Sequence, residues 1–251
     1  MPFTFSHPAI AVPLKKLKPN WFSSSGLVIG SMAPDFPYFL KMNTGSDFGH
    51  TLAGIFLLDL PLSFLVAVAF HLWVRDALIL HLPSPLDRKW ADCLGFDFMG
   101  YLKRAWPAFA VSAFVGTLTH LLWDIFTSPD GWVFYLDPAF FSREVQYGPV
   151  HLPLYRLIER AGSVLGLSFM VWLLFKKPTS AAKAFSSPVG KLRYWGGVMI
   201  GTVAVALLIL WMKGTSGGMV YYIIVTISAA AVSICLNSVL SVMPKAWRTK
   251  T

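Results

Sequence analysis

The stretch Trp106-Pro107-Ala108-Phe109-Ala110-Val111-Ser112-Ala113-Phe114-Val115-Gly116-Thr117-Leu118-Thr119-His120-Leu121-Leu122-Trp123-Asp124-Ile125-Phe126 decides how this chain folds. It is apolar nearly throughout, and about 20 such residues make a helix that crosses a bilayer. Near its end stand a histidine and a carboxylate, His120 and Asp124. Their i, i+4 spacing stacks both side chains on one helix face, as a pair of metal ligands requires. Ionisable residues are costly to keep in a spanning segment, so a site is the first expectation. A lone His120 would read as a polar residue bonded between helices; its partner one turn on favours the ligand reading.

Composition agrees with a membrane protein. Of 251 residues, 55% are hydrophobic and only 13% charged, against about 25% charged in a soluble domain. Mean hydropathy is +0.60. The 10 Trp and 20 Phe suit membrane interfaces. The net charge of +9 does not point to nucleic acid, because the basic residues sit in short loops and the tail rather than in a basic helix or an aromatic-basic module. They suit topology signals and anionic lipid headgroups instead. The two cysteines, Cys93 and Cys235, form no CxxC and no disulfide framework. Lys15, Lys16 and Lys18 precede a weakly apolar stretch, but serines interrupt it and Pro34 would follow the small-residue triplet Ser31-Met32-Ala33, so the N-terminus is expected to be retained.

The fold class expected is all-α, a polytopic helical membrane protein with five or six spans. The candidates are Ile55 to Trp73, Trp106 to Phe126, Ala161 to Phe175, Tyr194 to Met212 and Met219 to Leu240. Gly26 to Leu40 is a sixth, re-entrant or half-spanning, since Pro34, Asp35 and Pro37 break a helix or mark its end. The chain is expected to divide into 1–160, a helical part that holds all six histidines and the metal site, and 161–251, the C-terminal transmembrane helices, of which Tyr194 to Leu240 reads as two plain spans. The segment with Lys176, Lys177, Lys183, Lys191 and Arg193 and the tail with Lys245, Arg248 and Lys250 read as cytoplasmic. Counting back from them places Thr127 to Arg160 and the segment before Ile55 on the outer side.

The residues of metal-ligand type in the first part are His7, Asp35, His50, His120, Asp124 and His151. Imidazole with carboxylate suits a divalent metal, Zn²⁺ first and also Mn²⁺ or Fe²⁺. By the topology above all six reach the outer face. Each has a plainer reading: His7 before Pro8 as part of a helix start, Asp35 as a turn residue, His50 as interfacial, His151 as a loop histidine. His71 and His81 flank a cytoplasmic loop and read as interfacial. Asp59, near the start of the first span, is left unassigned. The glycine-rich Gly214 to Gly218 joins two spans and lacks the strand-to-helix context of an acyl-transfer serine or a phosphate loop, and no HExxH occurs, which sets aside serine acyl transfer, P-loop chemistry and zincins.

The opening Met1-Pro2-Phe3-Thr4-Phe5-Ser6-His7-Pro8-Ala9, with Ile29-Gly30-Ser31-Met32-Ala33-Pro34-Asp35, Gly49-His50-Thr51 and the His120-to-Asp124 helix, resembles a family of multi-pass bacterial membrane proteins of unknown function. More distantly, the order of an early histidine, Pro-Asp, Gly-His-Thr and then His120, Asp124, Thr127, Gly131 and Pro138 is similar to inner-membrane proteins regarded as metal-dependent hydrolases. It is similar also to the zinc-dependent phospholipase C and P1 nuclease group. The resemblance implies His7, Asp35, His50, His120, Asp124 and His151 as ligands of a polynuclear zinc site that cleaves phosphoesters, and six ligands allow two metals at about three each. It departs from that soluble group after His151, where Tyr155 stands at i+4 and Glu159 one turn further.

The function expected is therefore a membrane-bound metal-dependent hydrolase of a phosphoester or lipid-linked substrate, in a bacterial inner membrane. Its partners would be membrane lipids and an amphipathic small molecule, with no nucleic acid. Two other classes remain open: an ion- or proton-coupled transporter lined by Asp59, His120 and Asp124, and a structural protein whose polar residues bond between helices.

Overall fold

Length and apolarity produce helices that must find their backbone partners within themselves, because lipid offers none. The computed structural model describes residues 3–42, 48–129, 131–179, 186–215 and 217–248. In order come α1 (Ser24–Gly30), α2 (Leu52–His81), α3 (Phe98–Thr127), a hairpin of β1 (Glu144–Tyr147) and β2 (Val150–Pro153), α4 (Leu154–Lys176), α5 (Pro188–Lys213) and α6 (Met219–Arg248). Among the described residues five helices are long and apolar enough to cross a membrane, those that hold α2 to α6. Leu57, Leu118, Leu165, Leu207 and Leu236, one on each, are exposed. Such surfaces suit lipid rather than water. The protein is an all-α polytopic membrane protein. Its one antiparallel ribbon among the described residues pairs Glu144 with Pro153 and Gln146 with His151.

Gly26 to Leu40 does not form a continuous helix. Its prolines divide it into α1, a 3₁₀ turn at Ala33–Asp35 and a short helix at Phe36–Lys41. Lys183 and Lys250 of the basic segments lie outside the described residues.

The chain gathers into two compact units that interleave along the sequence. The first takes Met1–Asp35, Asp47–Phe64 and Leu102–Leu173; the second takes Phe36–Ser46, Leu65–Tyr101 and Leu174–Thr251. Both draw on residues before and after Arg160.

Two contacts organise the first unit. Helices α2 and α3 run antiparallel, with Phe56 on Phe114 (ring centroids 5.7 Å apart) and Phe64 on Phe109 (4.6 Å). Helix α1 lies on α3 through small residues, the packing that lets backbones approach closely in lipid. A Cβ on Gly30 would stand 2.2 Å from the Ala113 carbonyl oxygen, and one on Gly116 2.6 Å from that of Leu27. The Ser23 hydroxyl caps α1 at the Gly26 N–H, and the Thr117 hydroxyl donates to the Gly30 carbonyl at 3.1 Å. Helix α3 is kinked at Ala105, two residues before Pro107.

In the second unit, Gly197 and Gly201 of α5 make room for Asn237 and Ser233 of α6. Tyr194 Oη lies 2.8 Å from Ser238 Oγ. His71 stacks on Phe98 at 4.0 Å beside the buried Arg75, and His81 stacks on Tyr194 at 4.5 Å. In the loop after α2, burial pushes the Asp87 carboxyl up. The Lys191 ammonium at 2.5 Å, the Arg88 N–H and the Ser84 hydroxyl outweigh that and hold it below the ordinary carboxylate range.

Two outcomes follow from this packing. Gly30→Ala forces α1 and α3 apart and lowers the thermal unfolding midpoint in detergent, at a cost of about 1–3 kcal/mol; an unchanged midpoint would contradict the close contact. The Asp87 carboxyl is held low by folding, so its contribution is present above the ordinary carboxylate pKa and is lost as pH falls through its lowered folded value. Asp87→Asn therefore destabilises the protein at neutral pH, and pH-dependent unfolding curves of variant and parent converge toward strongly acidic pH.

Candidate metal centre

Four separated segments of the first unit bring five donors to one place. His7 sits between the 3₁₀ turn Thr4–Ser6 and the short helix that Pro8 opens. That segment is tied to α4, where the Phe3 N–H donates to Ser163 Oγ at 2.9 Å and Gly166 leaves room for Ser6. Asp35 ends the turn Ala33–Asp35, which Pro34 helps to set. His50 ends the 3₁₀ turn Phe48–His50, just before Thr51 caps α2 by accepting from the Gly54 N–H at 2.9 Å. His120 and Asp124 lie one helical turn apart on α3.

The two innermost imidazoles are oriented by backbone. His7 Nδ1 lies 3.2 Å from the Thr4 carbonyl oxygen, and His120 Nδ1 lies 2.8 Å from that of Ser31. A carbonyl only accepts, so in each ring Nδ1 carries a hydrogen, and in the neutral ring Nε2 keeps the lone pair a metal would take. The rings stack at 3.8 Å, tilted by 14°. The close approach of α1 to α3 is what brings the Ser31 carbonyl within reach of His120.

All three Nε2 atoms face the carboxylates. His120 Nε2 lies 3.2 Å from Asp124 Oδ2 and 3.7 Å from Asp35 Oδ1. His50 Nε2 lies 3.5 Å from Asp124 Oδ2 and 3.8 Å from Asp35 Oδ1, and His7 Nε2 lies 3.5 Å from Asp124 Oδ1. These separations exceed a charge-assisted hydrogen bond, about 2.7–2.9 Å. They match donors around a shared ion. Ligands about 2.0–2.1 Å from Zn²⁺ stand about 2.9 Å apart at a right angle and about 3.4 Å apart at the tetrahedral angle.

Polar bookkeeping points the same way. His7 Nε2, Asp35 Oδ1, His120 Nε2 and both Asp124 oxygens are buried and make no hydrogen bond among the described residues. The other Asp35 oxygen, Oδ2, accepts from the Thr4 hydroxyl at 2.5 Å. No lysine or arginine pairs with Asp35, Asp59 or Asp124 among the described residues. Buried carboxylates without a cation are costly. Two sets, His7 with Asp35 and His120, and His50 with His120 and Asp124, each bring donor atoms within 4.8 Å of one another and could hold a metal ion. Both use His120, whose single lone pair at Nε2 serves one ion, so the geometry favours one ion over the two that the sequence resemblance implies.

Of the six residues singled out from sequence, the structure brings His7, Asp35, His50, His120 and Asp124 together. It places His151 elsewhere, on the hairpin, half-exposed and 3.8 Å from Glu144 Oε2. Asp59 is the residue that sequence left unassigned. It is fully buried, and a Cβ on Gly49 would stand 3.1 Å from its Oδ1. Its signal was a lone carboxylate inside an apolar span.

The chain belongs to the family described as a domain of unknown function (DUF4184), which matches residues 1–243. No curated protein and no solved structure matches it.

Gly49 lets the His50 turn pass close to its neighbours, since a Cβ there would also meet the Pro34 carbonyl oxygen at 2.7 Å. Gly49→Ala therefore displaces His50 and lowers the unfolding midpoint, at about 1–3 kcal/mol. Thermal unfolding in detergent checks this, and a midpoint equal to the parent's would contradict it.

Proposed function

We propose that this member of the DUF4184 family is a membrane-embedded hydrolase of phosphoester bonds. It works with one divalent cation, Zn²⁺ by preference, held by His7, Asp35, His50, His120 and Asp124. The observation that carries the reading is the convergence of three imidazole Nε2 atoms and two carboxylates at 3.2–3.8 Å with no lysine or arginine paired to them among the described residues. Nitrogen and oxygen donors without sulfur suit Zn²⁺, Mn²⁺ or Fe²⁺, and the histidine share favours Zn²⁺.

When bound, the cation supplies Lewis acidity toward water and toward a phosphoryl oxygen. The chain's own residues do the rest. His7 and His120 form the closed wall, and their backbone hydrogen bonds fix the rings before substrate arrives. Thr4 holds Asp35 by one oxygen and leaves the other to the site. The His50 and Asp124 side chains are 18% and 11% exposed and form the edge of the site nearest the surface, with their donor atoms buried beneath it. A structural site would be closed on all sides, whereas a catalytic one keeps an open position.

Location supports an amphipathic substrate. His50 precedes the first span and His120 and Asp124 close the second, so the donors gather at one end of antiparallel helices. Counted from the basic loops, that end is the outer face of the membrane, and in this reading the membrane is a bacterial inner membrane. The resemblance to membrane hydrolases and to the phospholipase C and P1 nuclease group supplies the reaction class. A lipid phosphate or a lipid-linked phosphoester is the substrate this reading favours.

Protein purified in detergent without added metal is expected to carry about one zinc per chain by elemental analysis. It should release phosphate or a phosphorylated headgroup from a panel of lipid phosphoesters. His120→Ala and Asp124→Asn lose metal and activity together while circular dichroism stays helical, and His151→Ala keeps both. Wild-type protein without metal would return the cluster to an ion-coupled transporter. Metal without hydrolysis of any panel member would end the hydrolase reading and leave the ion site standing.

A further inference from the structure

Two of the three imidazoles at the site have their second nitrogen fixed by a backbone carbonyl, His7 by Thr4 and His120 by Ser31. His50 arrives on a short turn rather than on a long helix. Its Nε2 faces Asp35 and Asp124, so its Nδ1, which is buried, points away from the shared donors. Asp59 lies against the same turn. It is fully buried inside the first span, and neither carboxylate oxygen makes a hydrogen bond among the described residues. Gly49, the residue before His50, is what allows that approach, because a Cβ there would stand 3.1 Å from Asp59 Oδ1.

The backbone accounts for the placement. Pro61 has no N–H to offer the Leu57 carbonyl. The helix widens into a π turn over Ile55–Asp59, closed by the Leu60 N–H on the Ile55 carbonyl. Single π turns within α-helices recur at functional sites, and this one carries Asp59 at its end.

We infer that Asp59 is the positioning residue for His50: when the cation draws Nε2 inward, the Asp59 carboxylate behind the turn is the acceptor for the His50 Nδ1–H. The inference rests on the cation site proposed above. It makes Asp59 a supporting carboxylate behind a ligating histidine, an arrangement that fixes the ring and raises its basicity. A buried carboxylate that no lysine or arginine answers among the described residues thereby acquires a partner.

The test uses the full chain in detergent, stripped of metal with a chelator and titrated with Co²⁺, whose visible absorption reports the ligand set. Asp59→Ala is expected to weaken Co²⁺ binding by about 10–100-fold and to change the absorption bands. Asp59→Asn, which keeps an acceptor oxygen, recovers most of the affinity. In a His50→Ala background, Asp59→Ala costs nothing further, because the residue acts through the ring already removed. Losses that add in the double variant would overturn the inference, as would an Asp59→Ala protein with parental affinity and spectrum, even if less heat-stable. Asp59→Ser serves the same comparison where Asp59→Ala does not fold. Failure of the wild-type protein to take up Co²⁺ would instead overturn the cation site itself.

Discussion

Buried carboxylates with no lysine or arginine to answer them among the described residues govern the first unit. Asp35, Asp59 and Asp124 are all buried, and the polar groups around them are imidazoles and a threonine hydroxyl. Removing a carboxylate from water costs several kcal/mol, about that much for each ion even after relaxation. Neutral imidazoles with their lone pairs turned inward do not offset this. A divalent cation in the proposed site would, and the His and Asp donors gathered there could hold one.

The backbone is arranged to deliver those donors. Gly30 and Gly116 allow α1 and α3 to touch, and that contact supplies the Ser31 carbonyl that turns His120. Ser163 and Gly166 of α4 hold the N-terminal segment that carries His7. Gly49 admits the His50 turn beside Pro34 and Asp59. In each case a small residue or a hydroxyl on one segment sets a donor on another. The site is therefore a property of the packed unit rather than of any single helix.

Much of this was legible in the chain for specific reasons. The five spans could be read because bilayer thickness fixes a length and lipid excludes charge, so each appears as an apolar run. The facing of His120 and Asp124 follows from helical periodicity alone. His7, Asp35 and His50 carry no such local signal. They lie in short turns far apart in sequence, and only residue type, the side of the membrane that the charge count gives them and the resemblance grouped them. The same resemblance included His151, which the fold places on a half-exposed hairpin beside Glu144, away from the five donors. Asp59 could not be assigned because a π turn leaves no mark in an apolar pattern. One carboxylate in a span fits a helix contact as well as a site. The interleaving of the two units was also hidden, since long helices such as α2 contribute to both.

X-ray absorption at the zinc edge on the purified, unsupplemented protein tests the central claim most directly. The account predicts a first shell of nitrogen and oxygen at about 2.0–2.1 Å with the multiple scattering of several imidazoles. A sample without an edge, or with a shell of sulfur or of water oxygens alone, would contradict it.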